Sequence, residues 1–238
     1  MKLKDRTAII TGAGRGIGKA TAIAFAKEGA NVVLASRTRE EIELTAKECR
    51  ILGVDALAVE TDVSSKVSVN GMIKAAYEKY KKIDYLINNA GVAIHNPIPK
   101  IREEDWDTSF FVNTKSMFLC TQAVFKQMCE EGNGHIINVS SVAGKRGGPN
   151  MGAYCASKFA MQGFTEVTNI EGRLHGVKAS LICPGPTDTK MRRSNHPNDI
   201  IGNLTQPEEI ADAIVLLVCQ SPQAHTPEII INTPLPVN

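Results

Sequence analysis

Short runs of β-branched and apolar residues alternate with longer amphipathic stretches along the whole chain. "TAIIT" (7–11) precedes the helix-like "GKATAIAFAKEGA", and "NVVLAS" (31–36) precedes "REEIELTAKECRILG". "ALAVETD" is followed by "KVSVNGMIKAAYEKYKK", and "IDYLINNAG" by the long stretch "EEDWDTSFFVNTKSMFLCTQAVFKQMCEEG" (103–132). "HIINVSS" leads into "YCASKFAMQGFTEVTNIEGRLHG", "VKASLICPG" into "PEEIADAIVLLVCQ", and "EIIIN" closes the series. Strands that read as continuous apolar runs are buried on both faces, as in a parallel sheet. Strand–helix alternation of this kind predicts an α/β fold: one doubly wound parallel sheet of about seven strands with helices on both faces. No Pro/Gly/Ser-rich linker divides the chain, so it reads as a single domain over residues 1–238.

Composition changes this picture little. Apolar residues make up 43% and charged residues 22% of the 238, which argues against disorder. A net charge of +2 with acids and bases interspersed calls for neither nucleic acid nor an anionic membrane. No apolar run is long enough to span a bilayer, and "MKLKDRTAIITG" lacks a signal-peptidase site, so a cytoplasmic protein is expected. The six cysteines are scattered without a C-x-x-C, which reads as reduced thiols. The histidines show no ligand spacing, and no metal is expected.

Candidate chemistry begins with "TGAGRGIGKA", which follows the first strand and opens the first helix. Glycines there let a phosphate approach the backbone, and the helix N-terminus offers free N–H groups. The G-x-G-x-x-G pattern fails at Ile17 and the G-x-x-x-x-G-K-[ST] pattern at Ala13 and Ala20; what fits is Gly12-x-x-x-Gly16-x-Gly18. A dinucleotide site for NAD usually carries an acid at the end of the second strand for the ribose 2′-hydroxyl. Here that strand ends "LASRT", with Arg37, and Arg15 sits inside the glycine loop. Two guanidiniums suit a 2′-phosphate, so NADP(H) is expected over NAD(H); a merely solvated Arg37 is the alternative. In "AYCASKFA", Tyr154 and Lys158 are one turn apart on a helix face. A nearby ammonium lowers a phenol's pKa, which makes the pair a candidate proton donor and its tuning charge.

The glycine loop, "NNAG" (88–91), Asn113, the "SS" ending at Ser141, "YCASK" and "PGPTDT" (184–189) occur in that order. Together they resemble the short-chain dehydrogenase/reductase family, a Rossmann-type fold, over about residues 3–191. Within it the chain is most similar to the 3-oxoacyl-acyl-carrier-protein reductase and carbonyl reductase group. The resemblance implies that Tyr154 gives the proton, that Ser141 rather than Ser140 holds the substrate oxygen, and that Lys158 also meets the nicotinamide ribose. Asn113 would sit mid-helix, its side chain anchoring a water that links Lys158 to solvent. Gly12, Arg15, Gly16, Ile17, Gly18 and Arg37 would hold the phosphates. Asp62 and Val63 would meet the adenine, with Asp62 equally readable as a helix-capping acid. Asn89 and Gly91 would lie near the adenosine side and the sheet edge. Pro184 and Gly185 turn the chain, the Thr187 backbone would meet the carboxamide, and Thr189 would approach the nicotinamide side or the phosphates.

After "PGPTDTKM" the chain departs from that group. Residues 190–206 read as a short substrate lid, and the tail, 232–238, lacks the group's V-x-G-G turn and by analogy reaches a neighbouring subunit. A short lid suggests an open pocket for varied ketones. Arg192 and Arg193 read either as a solvated basic turn or as partners of a phosphopantetheine phosphate, and His95 as a pocket-lining residue without catalytic task. The expected activity is NADPH-dependent reduction of a small-molecule carbonyl, a ketone or 3-oxoacyl thioester, by a homo-oligomer, a dimer or tetramer. The alternatives are oxidation of a secondary alcohol with NAD(P) and a non-catalytic NADP-binding regulator; the presence of Asn113, Ser141, Tyr154 and Lys158 together argues for catalysis.

Overall fold

The structure, a computed structural model, describes residues 1–237. Asn238, the end of the expected tail, lies outside the described residues. The elements run β1 (Thr7–Thr11), α1 (Gly16–Lys27), β2 (Asn31–Ser36), α2 (Arg39–Ile51), β3 (Ala56–Glu60), α3 (Lys66–Tyr80), β4 (Tyr85–Asn88), α4 (Glu103–Ser109), α5 (Ser116–Glu131), β5 (Gly134–Val139), α6 (Gly152–Gly172), β6 (Val177–Pro184), α7 (Lys190–Asn195), α8 (Pro207–Val218) and β7 (Glu228–Ile231). All seven strands are parallel, in the order β3-β2-β1-β4-β5-β6-β7.

Alternation along each strand feeds two apolar layers. Ala8 and Ile10 of β1 and Val32 and Leu34 of β2 face Phe25, Ile42, Ile210 and Ile214. Ile9, Val33 and Ala35 face the other way, toward Met72, Ile73, Val124 and Met128. Both faces of the sheet are therefore covered, which is why the strands read as unbroken apolar runs. At the N-terminal edge of the strands the buried Asp84 carboxylate accepts from Arg6 Nη1 at 2.7 Å, Thr7 N at 3.0 Å and Asn133 Nδ2 at 3.2 Å. Among the described residues no helix is long and apolar enough to cross a membrane.

Three segments differ from expectation. The single helix expected over 103–132 is α4 and α5 joined by a π-helical turn, Phe110–Lys115. Such a turn inserts a residue into the helical register and commonly marks a functional position. The lid consists of the two-turn helix α7 and one 3₁₀ turn, Ile201–Asn203. Finally, residues 236–237 of the tail bond to the lid of their own chain. Ile200 N donates to Val237 O at 2.7 Å, and Asn203 Nδ2 donates to Pro236 O at 2.7 Å. Proline leaves a strand few ladder donors, so β7 stops at Ile231 and residues 232–237 lie outside the sheet.

Candidate active site

Strand order reverses between β1 and β4, and a crevice opens at the carboxyl ends of the strands there. It is a cleft of about 840 Å³. Gly12, Arg37, Asp62, Asn89, Ser141 and Pro184, each following or ending a different strand, reach its wall.

The glycine loop is shaped to let something approach its backbone. Gly12 and Gly16 have φ of +66° and +53°, a region that side chains disfavour. A Cβ on Gly18 would collide with Gly12 O, so the first turn of α1 presses directly on the loop. Asn89 is spent on this architecture: its Nδ2 donates to Thr11 O at 2.9 Å and to Gly12 O at 3.3 Å. Arg15 is the N-terminal flanking residue of α1, and no side chain caps that helix end. Ile17, in the first turn, also lines the cleft.

At the β2–β3 end, Arg37 is exposed and Val63 buried, and both line the cleft with Asp62. Asp62 Oδ1 accepts from Ser64 N at 2.9 Å and Ser64 Oγ at 2.7 Å. These bonds, with the charge of Arg37 adding a little, hold its carboxyl below the usual carboxylate range. The cap of α3 is Ser65, whose hydroxyl accepts from Ser68 N, so Asp62 closes the preceding turn instead of capping the helix. Thr189 caps α7, and its methyl lies 3.2 Å from where a Cβ on Gly16 would sit, which puts it over the glycine loop. Gly185 N is tied to Ile231 O at 2.7 Å, and the Thr187 hydroxyl donates to Gly185 O at 3.1 Å.

The other end of the cleft is built on α6. Tyr154 lies in its first turn and Lys158 one turn later. Lys158 is 4% exposed, and its Nζ donates to Val139 O at 2.9 Å and lies 5.9 Å from the centroid of the Tyr154 ring. Burial pulls the Lys158 ammonium down to about 8. Burial likewise pushes the Tyr154 phenol up, and hydrogen bonding to Ser141 offsets part of the rise. The phenol therefore lies above its ordinary value, with Lys158 Nζ held on the β5 carbonyl. The Ser140 hydroxyl turns inward to Lys158 O at 3.1 Å. Ser141 Oγ accepts from Ala143 N at 3.1 Å.

Asn113 stands in the π-helical turn, 1% exposed. Its Oδ1 accepts from Val92 N at 2.8 Å, and its Nδ2 donates to Val92 O at 3.0 Å and Ser157 Oγ at 2.9 Å. The side chain thus ties the loop after β4 to α6. Gly91 is also displaced from expectation: a Cβ there would lie 3.1 Å from Asn113 Oδ1 and 3.7 Å from Lys158 Nζ. It belongs to the Tyr154 end, not to the end lined by Arg37.

Sequence reasoning passed over Ser157, which receives Asn113 and donates to Tyr154 O at 2.8 Å; a serine inside "YCASK" carries no signal of its own. His95 lines the cleft 5.9 Å from the Tyr154 ring and 5.4 Å from the ring of His196 on the lid. Its Nε2 is buried without a partner, and burial, His196 and Arg192 together lower its pKa. Asn195 Nδ2 pins the lid to Ala93 O at 3.1 Å. Arg192 is paired with Asp199 and Arg193 with Asp188, so neither arginine is free in solvent.

The sequence profile of the short chain dehydrogenase family matches residues 6–199. A 3-oxoacyl-acyl-carrier-protein reductase from Synechocystis sp. is 34% identical over 229 residues, 94% of this chain and 93% of that protein. A hydroxy(phenyl)methyl-succinyl-CoA dehydrogenase subunit from Thauera aromatica is 34% identical, over 91% and 90% of the two chains. Among solved structures, the actinorhodin polyketide ketoreductase with NADPH superposes with a TM-score of 0.89 at 30% identity, over 98% of this chain and 96% of that one.

Proposed function

This chain belongs to the short chain dehydrogenase family, and we propose that it is an NADPH-dependent carbonyl reductase. The observation that carries the reading is the cleft itself. A phenol, a hydroxyl and a buried ammonium converge at one end, and a glycine cradle with two arginines forms the other. The cradle fits a dinucleotide pyrophosphate: Gly12 and Gly16 adopt positive φ, and the α1 N-terminus has no side-chain cap. Arg15 and Arg37 suit a 2′-phosphate, in keeping with the NADPH of the ketoreductase neighbour.

NADPH, when bound, supplies a hydride to the carbonyl carbon. Tyr154 Oη gives its proton to the carbonyl oxygen, and Ser141 Oγ donates a hydrogen bond that orients that oxygen. Lys158 has three N–H donors, one to Val139 O and one near Met161 Sδ; the third would meet the nicotinamide ribose, and its charge would favour the phenolate left behind. Asn113 positions the 91–92 backbone against Lys158. Asp62 and Val63 would border the adenine, Thr187 the carboxamide, and Thr189 the phosphates. Residues 190–206 cover the substrate, a ketone or 3-oxoacyl thioester. The acyl-carrier-protein and CoA in the names of the two relatives support a thioester. The word dehydrogenase in the second supports the reverse reaction as the other reading.

Mixing the protein with NADPH and an acetoacetyl thioester, and following loss of reduced cofactor, tests this. Turnover that falls at least ~100-fold in Tyr154→Phe, with NADPH still bound, is expected; near-normal turnover in the variant overturns the role. NADPH binding without turnover of thioesters, ketones or diketones, and without oxidation of secondary alcohols by NADP, would make the chain a nucleotide-binding regulator.

We also propose that the chain pairs with a second copy through α5 and α6. Phe118 on α5 and Phe159, Val167 and Ile170 on α6 are exposed, the last three at helical spacing on one face. Light scattering should give a dimer or tetramer; a monomer at micromolar concentration refutes it.

A further inference from the structure

The adenosine end of the cleft holds an acid that the end of β2 does not predict. Glu41 stands in the first turn of α2 and lines the same wall as Ser36, Arg37 and Asp62. Its place is set by backbone packing rather than by a free rotamer. A Cβ on Gly14 would lie 2.7 Å from Glu41 Cβ and 2.9 Å from Glu41 Oε2, so the missing side chain of Gly14 is what lets α2 dock on the glycine loop. The next residue, Ile42, is fully buried in the core and fixes the rotation of the helix. From this position Glu41 Oε1 meets Arg15 Nη1 at 3.5 Å. Arg39, the other nearby cation, turns to Glu43 instead.

The local charges therefore balance. Arg15 and Arg37 face Glu41 and Asp62, two cations against two acids, and one of the cations is already engaged. A pair of unopposed arginines would favour a 2′-phosphate strongly through charge-assisted bonds. A carboxylate beside the ribose accepts from a 2′-hydroxyl and repels a 2′-phosphate. This cleft has both devices within reach of each other.

Building on the nucleotide reading above, we propose that Glu41 determines cofactor specificity and makes the site bifunctional. With NADPH, Arg15 leaves Glu41 for the 2′-phosphate; with NADH, Glu41 keeps Arg15 and accepts the 2′-hydroxyl. The preference for NADPH is correspondingly shallow, and Glu41 sets its depth.

The test is binding, which does not depend on turnover. Dissociation constants for NADPH and NADH are measured by nucleotide fluorescence on the wild type, Glu41→Gln and Glu41→Asp, with melting temperatures as a folding control. The wild type should hold the two nucleotides within about tenfold of each other. Glu41→Gln should tighten NADPH and weaken NADH, moving the ratio by at least about tenfold, while Glu41→Asp should keep most of the wild-type ratio. A wild-type preference beyond about 100-fold, or a Glu41→Gln variant in which both constants move together or not at all, overturns the proposal. Failure of the wild type to bind either nucleotide overturns the nucleotide reading itself, and this inference with it.

Discussion

Replacing Lys158 by methionine should make the protein more stable near neutral pH while abolishing its proposed chemistry. The ammonium is 4% exposed, and burial lowers its pKa from 10.5 to about 8. At pH 7 the lysine is charged in both the folded and unfolded chain, and the folded chain bears the desolvation. A shift of this size corresponds to about 3 kcal/mol. The methionine removes that penalty but strands Val139 O, which now accepts from Lys158 Nζ at 2.9 Å; losing the bond costs about 1 kcal/mol. The net gain is about 2 kcal/mol, or roughly 4–8 °C in melting temperature for a chain of this size. The pH dependence carries the signature. Below about 8 the advantage of the variant is constant. Between about 8 and 10.5 the unfolded wild type binds more protons than the folded one, so wild-type stability rises with pH and the advantage shrinks. Above that window the lysine is neutral in both states, and the wild type should be the more stable by about 1 kcal/mol. Urea denaturation of both proteins across this range measures the difference directly, and charges common to both cancel. A variant that is less stable at pH 7, or a difference that does not vary with pH, refutes the account of a strained, desolvated ammonium.

Further outcomes follow from other sites. Asp84→Ala removes the acceptor of Arg6 and of the buried Thr7 N–H at the N-terminal ends of the strands, and should cost about 1–3 kcal/mol in urea unfolding while the folded fraction keeps its turnover; an unchanged stability contradicts this. Gly18→Ala drives a Cβ into Gly12 O and should weaken NADPH at least about tenfold by fluorescence titration, whereas unchanged affinity would mean the loop does not hold the pyrophosphate. His135 is held at about 3 by burial, with His225 and Lys178 adding to the shift, so its contribution to stability is complete above pH 6.5 and is lost as pH falls toward 3. His135→Gln should flatten the acid limb of stability by about 2 kcal/mol between pH 6.5 and about 4.5, and an unchanged acid limb would sink the assignment.

Much of this architecture is legible in the sequence because burial on both faces leaves apolar runs such as "NVVLAS" and "HIINVSS" without alternation. The glycine loop is legible for a related reason: a cluster of glycines between a strand and a helix has few other uses. The π-helical turn is not, since Phe110–Lys115 carries no glycine or proline, and the partners of Asn113 within it, Val92 and Ser157, are distant in sequence. Glu41 escapes for a different reason. Spacing rules place a ribose-binding acid at a strand end, whereas here it comes from the first turn of a helix that docks on Gly14. Lid closure by Asn195 onto Ala93 joins residues 102 positions apart, and nothing local to either announces it.

The two halves of the substrate end are held in different ways. Tyr154, Lys158, Asn113 and Ser157 are knitted to one another and to β5 through buried bonds, while the lid hangs from Asn195 and from the tail segment at Pro236 and Val237. Substitutions in the cover away from Arg192 and His196 leave the buried bonds of the knitted half in place, whereas changes in the knitted half disturb several partners at once. Exchanging residues 190–206 for the corresponding segment of a relative would therefore replace the cover while leaving the buried bonds beneath it unchanged.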